Sequence, residues 1–273
     1  MSPDYTEFRK LEEEGWERVA GIYDSVWSSL TTLFVQPLLI AAGVGKGMKV
    51  LDVACGPGHC AVASTKMGAE ATGLDFSPGM IQTAKSKHPD IRFEVGDAEQ
   101  LQFKDETWDC VLINFGLMHL AHPEKALREA KRVLHTGGRI AFTVWAPPEV
   151  NTMGKIMDDA IAKHADKTAR LPQSPPYFIF KDELACKDVV AGLGFKVPTV
   201  KVQLHSVRWV VAHAGFLYEA ERDAGVRTAA ILASQAAQVQ NKIRNDVEAA
   251  AGKYSTSGGY ALPVAAYIVS AAK

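Results

Sequence analysis

The sequence predicts an α/β protein with a doubly wound parallel sheet, and three observations carry that prediction. Short apolar runs of strand length alternate with helical stretches between residues 48 and 144. The first run opens directly into a loop of small residues, and two later segments alternate apolar with polar residues at period two, as antiparallel edge strands do.

Residues 48–53, 69–74, 91–95, 110–114 and 139–144 read as five parallel strands joined by right-handed crossovers. Val50, Leu51 and Val53 form an apolar run suited to a strand buried on both faces. Ala54, Gly56 and Gly58 then remove side chains where the chain must turn sharply and where a ligand can approach the backbone. Ala61, Ala63 and Ser64 suit a helix packed closely on the sheet, with its first N–H groups turned toward the loop. Ser77 and Pro78 read as N-cap and first residue of the helix after the second strand, and His122-Pro123 opens another. In that helix Ala126, Leu127, Ala130, Val133 and Leu134 are expected to share one face, with Gly137 at its C′ position. Residues 200–204 and 262–268 supply the antiparallel C-terminal edge pair. The stretches at about 151–195 and 211–257 leave the sheet near its functional edge and, with residues 1–45, are expected to form a helical cap on the sheet domain at 46–273.

The loop fixes the chemistry. Gly56-Pro57-Gly58-His59-Cys60-Ala61 satisfies the dinucleotide pattern G-x-G-x-x-G/A, and Asp75 ends the second strand where a carboxylate accepts hydrogen bonds from a ribose diol. A pyrophosphate, however, needs N–H donors that Pro57 lacks, and Asp52 would repel it. S-adenosyl-L-methionine removes both objections, having a ribose and adenine but no phosphate, and an ammonium beside a sulfonium. An NAD-dependent oxidoreductase stays open as the alternative, as does a strand-turn-helix that binds nothing.

With these residues in view, the chain resembles the class I S-adenosylmethionine-dependent methyltransferases, in particular the ubiquinone/menaquinone-biosynthesis type. The resemblance covers residues 16–146 through motifs in a fixed order. They are Trp16-Glu17-Arg18-Val19-Ala20 with Tyr23-Asp24, the loop from Asp52 to Gly58, Gly73-Leu74-Asp75-Phe76-Ser77 with Met80, and Gly96-Asp97-Ala98-Glu99. Trp108-Asp109 before Asn114-Phe115-Gly116, and Leu134 to Arg139, complete the series. Ala54 departs from the family's usual glycine, which is tolerable if its φ is negative. The resemblance implies a Rossmann-like seven-stranded sheet and a set of roles. Asp75 would accept from the ribose, Asp97 from the adenine amino group and Ala98 would offer its N–H, with Phe76 and Met80 on the adenine faces. Asn114 and Tyr23 would meet the amino-acid end, and Asp52, Ala54 and Gly56 would form the loop around it. Bland readings stand beside these: Asp52 and Asp97 as helix caps, Met80 as core.

His119, just past the fourth strand, is the candidate general base, with a structural histidine as the alternative and His122 as the competitor. Trp145, Tyr177, Phe178, Arg208 and Trp209 are candidates for lining an acceptor site, with packing of the cap as the equal alternative for each. No His/Cys/acid spacing calls for a metal, and no nucleophile elbow is found.

Composition narrows the partners to a small-molecule substrate. A net charge of −1 across 273 residues gathers no nucleic acid, and no apolar run is long enough for membrane insertion. The acidic start and four cysteines without a C-x-x-C pair predict a cytoplasmic protein with reduced thiols. A cofactor-binding protein that does not methylate, such as a cyclase, or a pure binding module, fits the same residues. The acceptor and the oligomeric state are not legible.

Overall fold

The computed structural model describes residues 3–166 and 171–273; residues 1–2 of the expected cap segment and 167–170 of the first expected insert lie outside the described residues. Eight strands form one sheet: β1 (Lys49–Val53), β2 (Glu70–Asp75), β3 (Arg92–Val95), β4 (Trp108–Asn114), β5 (Leu134–Trp145), β6 (Lys201–Val211), β7 (Ser255–Thr256) and β8 (Gly259–Ala272). Their order is β3-β2-β1-β4-β5-β8-β6, with the two-residue β7 paired to β8. The first five run parallel, as expected. The C-terminal pair is present, and β8 lies inside the sheet, antiparallel to both β5 and β6. β6 is therefore the edge and runs parallel to the first five.

Alternation along the central strands feeds two cores. Leu51, Val53, Val111 and Ile113 point into one and Val50, Cys110 and Leu112 into the other, which is why these strands read as continuous apolar runs.

The helices are α1 (Thr6–Val19), α2 (Tyr23–Val26), α3 (Ser28–Thr31), α4 (Val35–Ala42), α5 (His59–Lys66), α6 (Pro78–Lys87), α7 (Pro123–Val133), α8 (Thr152–His164), α9 (Glu183–Gly192), α10 (Phe216–Ala224), α11 (Arg227–Ala233) and α12 (Ala237–Gly252). α4 buries Leu38, Leu39 and Ala42 in the second core, so the N-terminal segment divides. α4 supports the sheet, whereas α1 carries a buried stripe of Phe8, Glu12, Gly15 and Val19. At Gly15 a Cβ would come within 2.4 Å of Val226, so the backbone of α1 lies directly against the start of α11.

One expectation is corrected. Gly137 is not a helix C′ residue: α7 ends at Val133 with Leu134 already extended. Gly137, at φ +86°, instead lies where β5 bulges against β4, five residues advancing on β5 for two on β4 between the Trp108–Leu134 and Cys110–Arg139 pairs. Trp209 is fully buried and stacked on Trp27 at 5.5 Å, the packing alternative given for it.

Candidate active site

The C-terminal ends of β1, β2, β3 and β4 converge on one edge, where open α/β sheets bind ligands. At the end of β1 the chain turns through Ala54 at φ +54°, Gly56 at +50° and Gly58 at +90°. The condition set for Ala54 is thus not met. Its backbone is left-handed because Cys55 N–H must still reach the Leu74 carbonyl at 3.0 Å while the loop reverses, and an alanine there costs about 1–2 kcal/mol. At Gly58 a Cβ would meet the Phe93 ring at 2.6 Å, whereas at Gly56 it would meet nothing within 4 Å. The loop is packed on its sheet side and open outward.

Because the N-cap of α5 is Gly58, with no side chain, the acceptor comes from β1: Asp52 Oδ2 accepts from Ala61 N–H at 2.9 Å. The capping alternative for Asp52 is therefore realised. Burial, reinforced by the charge of Asp75, pushes its carboxyl up to about 7. Asp75 accepts from Gly56 N–H at 2.9 Å and from Ser77 N–H at 3.0 Å. Burial pushes it up to about 6 against these backbone bonds, with Glu17 adding to the rise. Ser77 caps α6 as expected, its hydroxyl accepting from Met80 N–H at 3.1 Å. Met80 is buried and Phe76 half-buried. Asp97 Oδ1 accepts from Glu99 N–H at 2.8 Å, closing its own turn, and Ala98 is buried.

Asn114 donates to the Thr31 carbonyl at 3.3 Å, and its buried Oδ1 has no partner among the described residues. Tyr23 reaches the same residue through the Thr31 side chain, and burial pushes its phenol up to about 12. Next to Asn114, Phe115 stacks on Trp145 at 3.8 Å. Tyr177 packs on Arg227 and Phe178, while Arg208 stands exposed at the sheet edge.

Residues outside the expected set close this edge. Glu17 on α1 accepts from Ser77 Oγ at 2.5 Å and Gly79 N–H at 3.1 Å. Arg9 on the same helix pairs with Asp97 at 2.8 Å. Glu12, only 1% exposed, accepts from Trp16 Nε1 at 2.9 Å, His119 Nδ1 at 3.0 Å and Arg227 Nε at 2.6 Å. Against the burial that would raise it, the contacts with His119 and the Arg227 guanidinium hold the Glu12 carboxyl below its ordinary value. One signal for Glu12 was available in the sequence, an acid on the stripe formed by Phe8, Gly15 and Val19; Arg227 carried none. Between α1 and the sheet, Phe76, Asp97 and His119 line a cleft of about 20 Å³, beside an open cleft of about 410 Å³ at Tyr5 and His122. His122 N–H is held by Glu99 at 2.8 Å, as a helix entry. Among the described residues no cluster of metal-ligating side chains occurs, and no helix is long and apolar enough to cross a membrane. The four cysteines are free and buried.

The strand order, the open loop after β1 and the acids ending β2 and following β3 define a Rossmann-like, nucleoside-binding class. A family profile described as methyltransferase domain matches residues 51–142. The demethylmenaquinone methyltransferase of Renibacterium salmoninarum is 35% identical over 136 residues, covering 50% of this chain and 57% of that protein. The enzyme of the same name from Mycolicibacterium paratuberculosis is 32% identical over 164 residues, 57% of this chain and 70% of its own length. A Haemonchus contortus phosphoethanolamine N-methyltransferase, solved with phosphomonomethylethanolamine and S-adenosylhomocysteine, superposes with a TM-score of 0.57 at 15% identity, over 99% of this chain and 61% of that one. The chain belongs to the class I S-adenosylmethionine-dependent methyltransferases, in the branch of the quinone-biosynthesis enzymes. It spans little more than half the length of the Renibacterium relative.

Proposed function

We propose that this chain transfers the methyl group of S-adenosyl-L-methionine to a small-molecule acceptor. The observation that carries the reading is the orphaned Asn114 oxygen, buried two strands from the Asp75 carboxylate, with the open Gly56 loop between. An acceptor atom left unpaired in the interior is costly unless a donor is to arrive. Bound S-adenosylmethionine would supply an electrophilic methyl carbon, its sulfur leaving with the bonding electrons.

Asp75 would hold the ribose hydroxyls, Asp97 and the Ala98 N–H the adenine edge, and Phe76 and Met80 its faces. Asn114 and Tyr23 would meet the ammonium end, beside a loop of Asp52, Ala54 and Gly56 whose single carboxylate, Asp52, favours positive charge. The 20 Å³ cleft has room for about one water, so α1 must lift for an adenosyl group to enter. Residues 1–45 and the inserts at about 151–195 and 211–257 then act as the cap that excludes water and holds the acceptor near attack distance. His119 serves as the base for the acceptor's proton. The relatives' name makes demethylmenaquinone the first acceptor to try, in its reduced form, because an electrophilic methyl requires an electron-rich ring. A cytoplasmic setting belongs to the same reading.

Calorimetry tests the cofactor. S-adenosylmethionine and its demethylated product should bind and NAD should not; binding of NAD alone would end the reading. Asp75→Ala should weaken cofactor binding by about 2–4 kcal/mol through lost charge-assisted hydrogen bonds. His119→Ala should lower turnover by roughly 10²–10⁴-fold with cofactor affinity nearly intact.

A further inference from the structure

We infer that Glu12 positions His119 as the base, so that the base is set only while α1 is docked, and that the acceptor is one that must give up a proton: a hydroxyl or an acidic ring carbon. This rests on the methyl-transfer reading and deepens it.

An ionised carboxylate only accepts hydrogen bonds, so the 3.0 Å contact between Glu12 Oε2 and His119 Nδ1 requires the hydrogen on Nδ1. In the neutral imidazole, Nε2 then carries the free lone pair, and no partner for it is found among the described residues. Glu12 stays ionised because Arg227 faces its other oxygen at 2.6 Å and the Trp16 indole donates to the shared one. Trp16 also stands edge-on to the imidazole at 4.7 Å and 78°, restricting the ring plane. The ring lines the same cleft as Phe76 and Asp97.

Both Glu12 and Trp16 belong to α1, so undocking that helix removes the tautomer selector and the ring clamp together. Carboxylate-oriented imidazoles elsewhere gain their orientation and the stability of their protonated form this way. In the step itself, the acceptor's X–H proton moves to Nε2 and the X–H electron pair remains on the acceptor atom. The resulting imidazolium lies against Glu12. An acceptor without a removable proton, such as a thioether, would have no use for this arrangement.

Two measurements test it. Nitrogen-15 spectra of the histidines in the wild-type protein should show His119 as the Nδ1–H tautomer at neutral pH; an Nε2–H tautomer would overturn the proposal without any appeal to activity. The paired change Glu12→Met/Arg227→Met removes the carboxylate and its counter-charge together, an exchange that buried ion pairs often tolerate. With α1 still protected in hydrogen exchange and the cofactor Kd within about twofold, kcat with reduced demethylmenaquinone should fall at least about 10²-fold, the low end of a base's contribution. A kcat within twofold of wild type would overturn the proposal. If S-adenosylmethionine fails to bind wild-type protein at all, the methyl-transfer reading falls, and the tautomer spectrum still decides whether Glu12 sets His119.

Discussion

Replacing Arg227 with methionine should release α1 while leaving the sheet folded. The Arg227 guanidinium pairs with Glu12 at 2.6 Å, donates to the Met118 carbonyl, and lies over the rings of Phe8 at 4.4 Å and Tyr177 at 4.9 Å. It therefore ties together α1, the turn after β4, the segment before α9 and α11. Removing one partner of a buried pair and stranding the other costs about 3–5 kcal/mol, and each lost ring contact adds about 1 kcal/mol. Against this, the apolar anchors of α1 are Phe8 and Val19, each worth about 1.5–3 kcal/mol buried. The penalty thus matches or exceeds the docking energy, and Glu12 escapes it by moving into water with its helix. Hydrogen exchange should show the amides of Thr6–Val19 losing most of their protection, while those of β1 and β4 keep theirs and the urea midpoint of the sheet moves little. Protection of α1 equal to wild type would refute the reasoning, because it would mean that Glu12 tolerates burial without its counter-charge.

Ala54→Gly should stabilise the protein by about 0.5–1 kcal/mol, the relief of a left-handed alanine less the entropy a glycine adds to the unfolded chain; a loss of stability in urea melts would show that the alanine methyl packs productively against Gly116. Asp52 and Asp75 hold protons up to about 7 and about 6 when folded but ionise near 4 when unfolded, so between these values the native state binds more protons. Their contribution to stability should therefore fall as pH rises from about 4 to 7, by on the order of several kcal/mol, visible as a smaller loss in an Asp52→Asn variant. A cationic ligand favours the ionised pair, so S-adenosylmethionine affinity should rise through the same window. Calorimetry at pH 6 in buffers of unlike ionisation enthalpy should detect protons released on binding, and buffer-independent heats would remove the two carboxyls from the binding linkage.

What the sequence made legible was whatever its own neighbours determine. The loop from Asp52 to Gly58, the Ser77-Pro78 helix start and the five central strands are contiguous patterns, and each formed within a residue or two of its expected position except at the start of β5, where a bulge added residues that no apolar alternation announces. Ala54 shows the limit of such reading: its residue type was visible, but the sign of its φ depends on keeping the Cys55–Leu74 hydrogen bond between two strands. For Trp209 the sequence left lining and packing both open, since an aromatic residue on an edge strand faces a site or the core according to what covers it, and here Trp27 does. Least legible was the cluster around Glu12, two of whose partners, His119 and Arg227, lie 107 and 215 residues away along the chain. No local pattern encodes that meeting; it exists because Gly15 lets α1 lie directly against Val226, which brings Arg227 to the middle of the helix. The Asp52–Gly58 side of the edge is thus written in short motifs, whereas the Glu12 side is assembled from elements distant in sequence, and an alteration at Gly15 that pushes α1 away from Val226 should disturb His119 without touching Glu12 or Arg227 themselves.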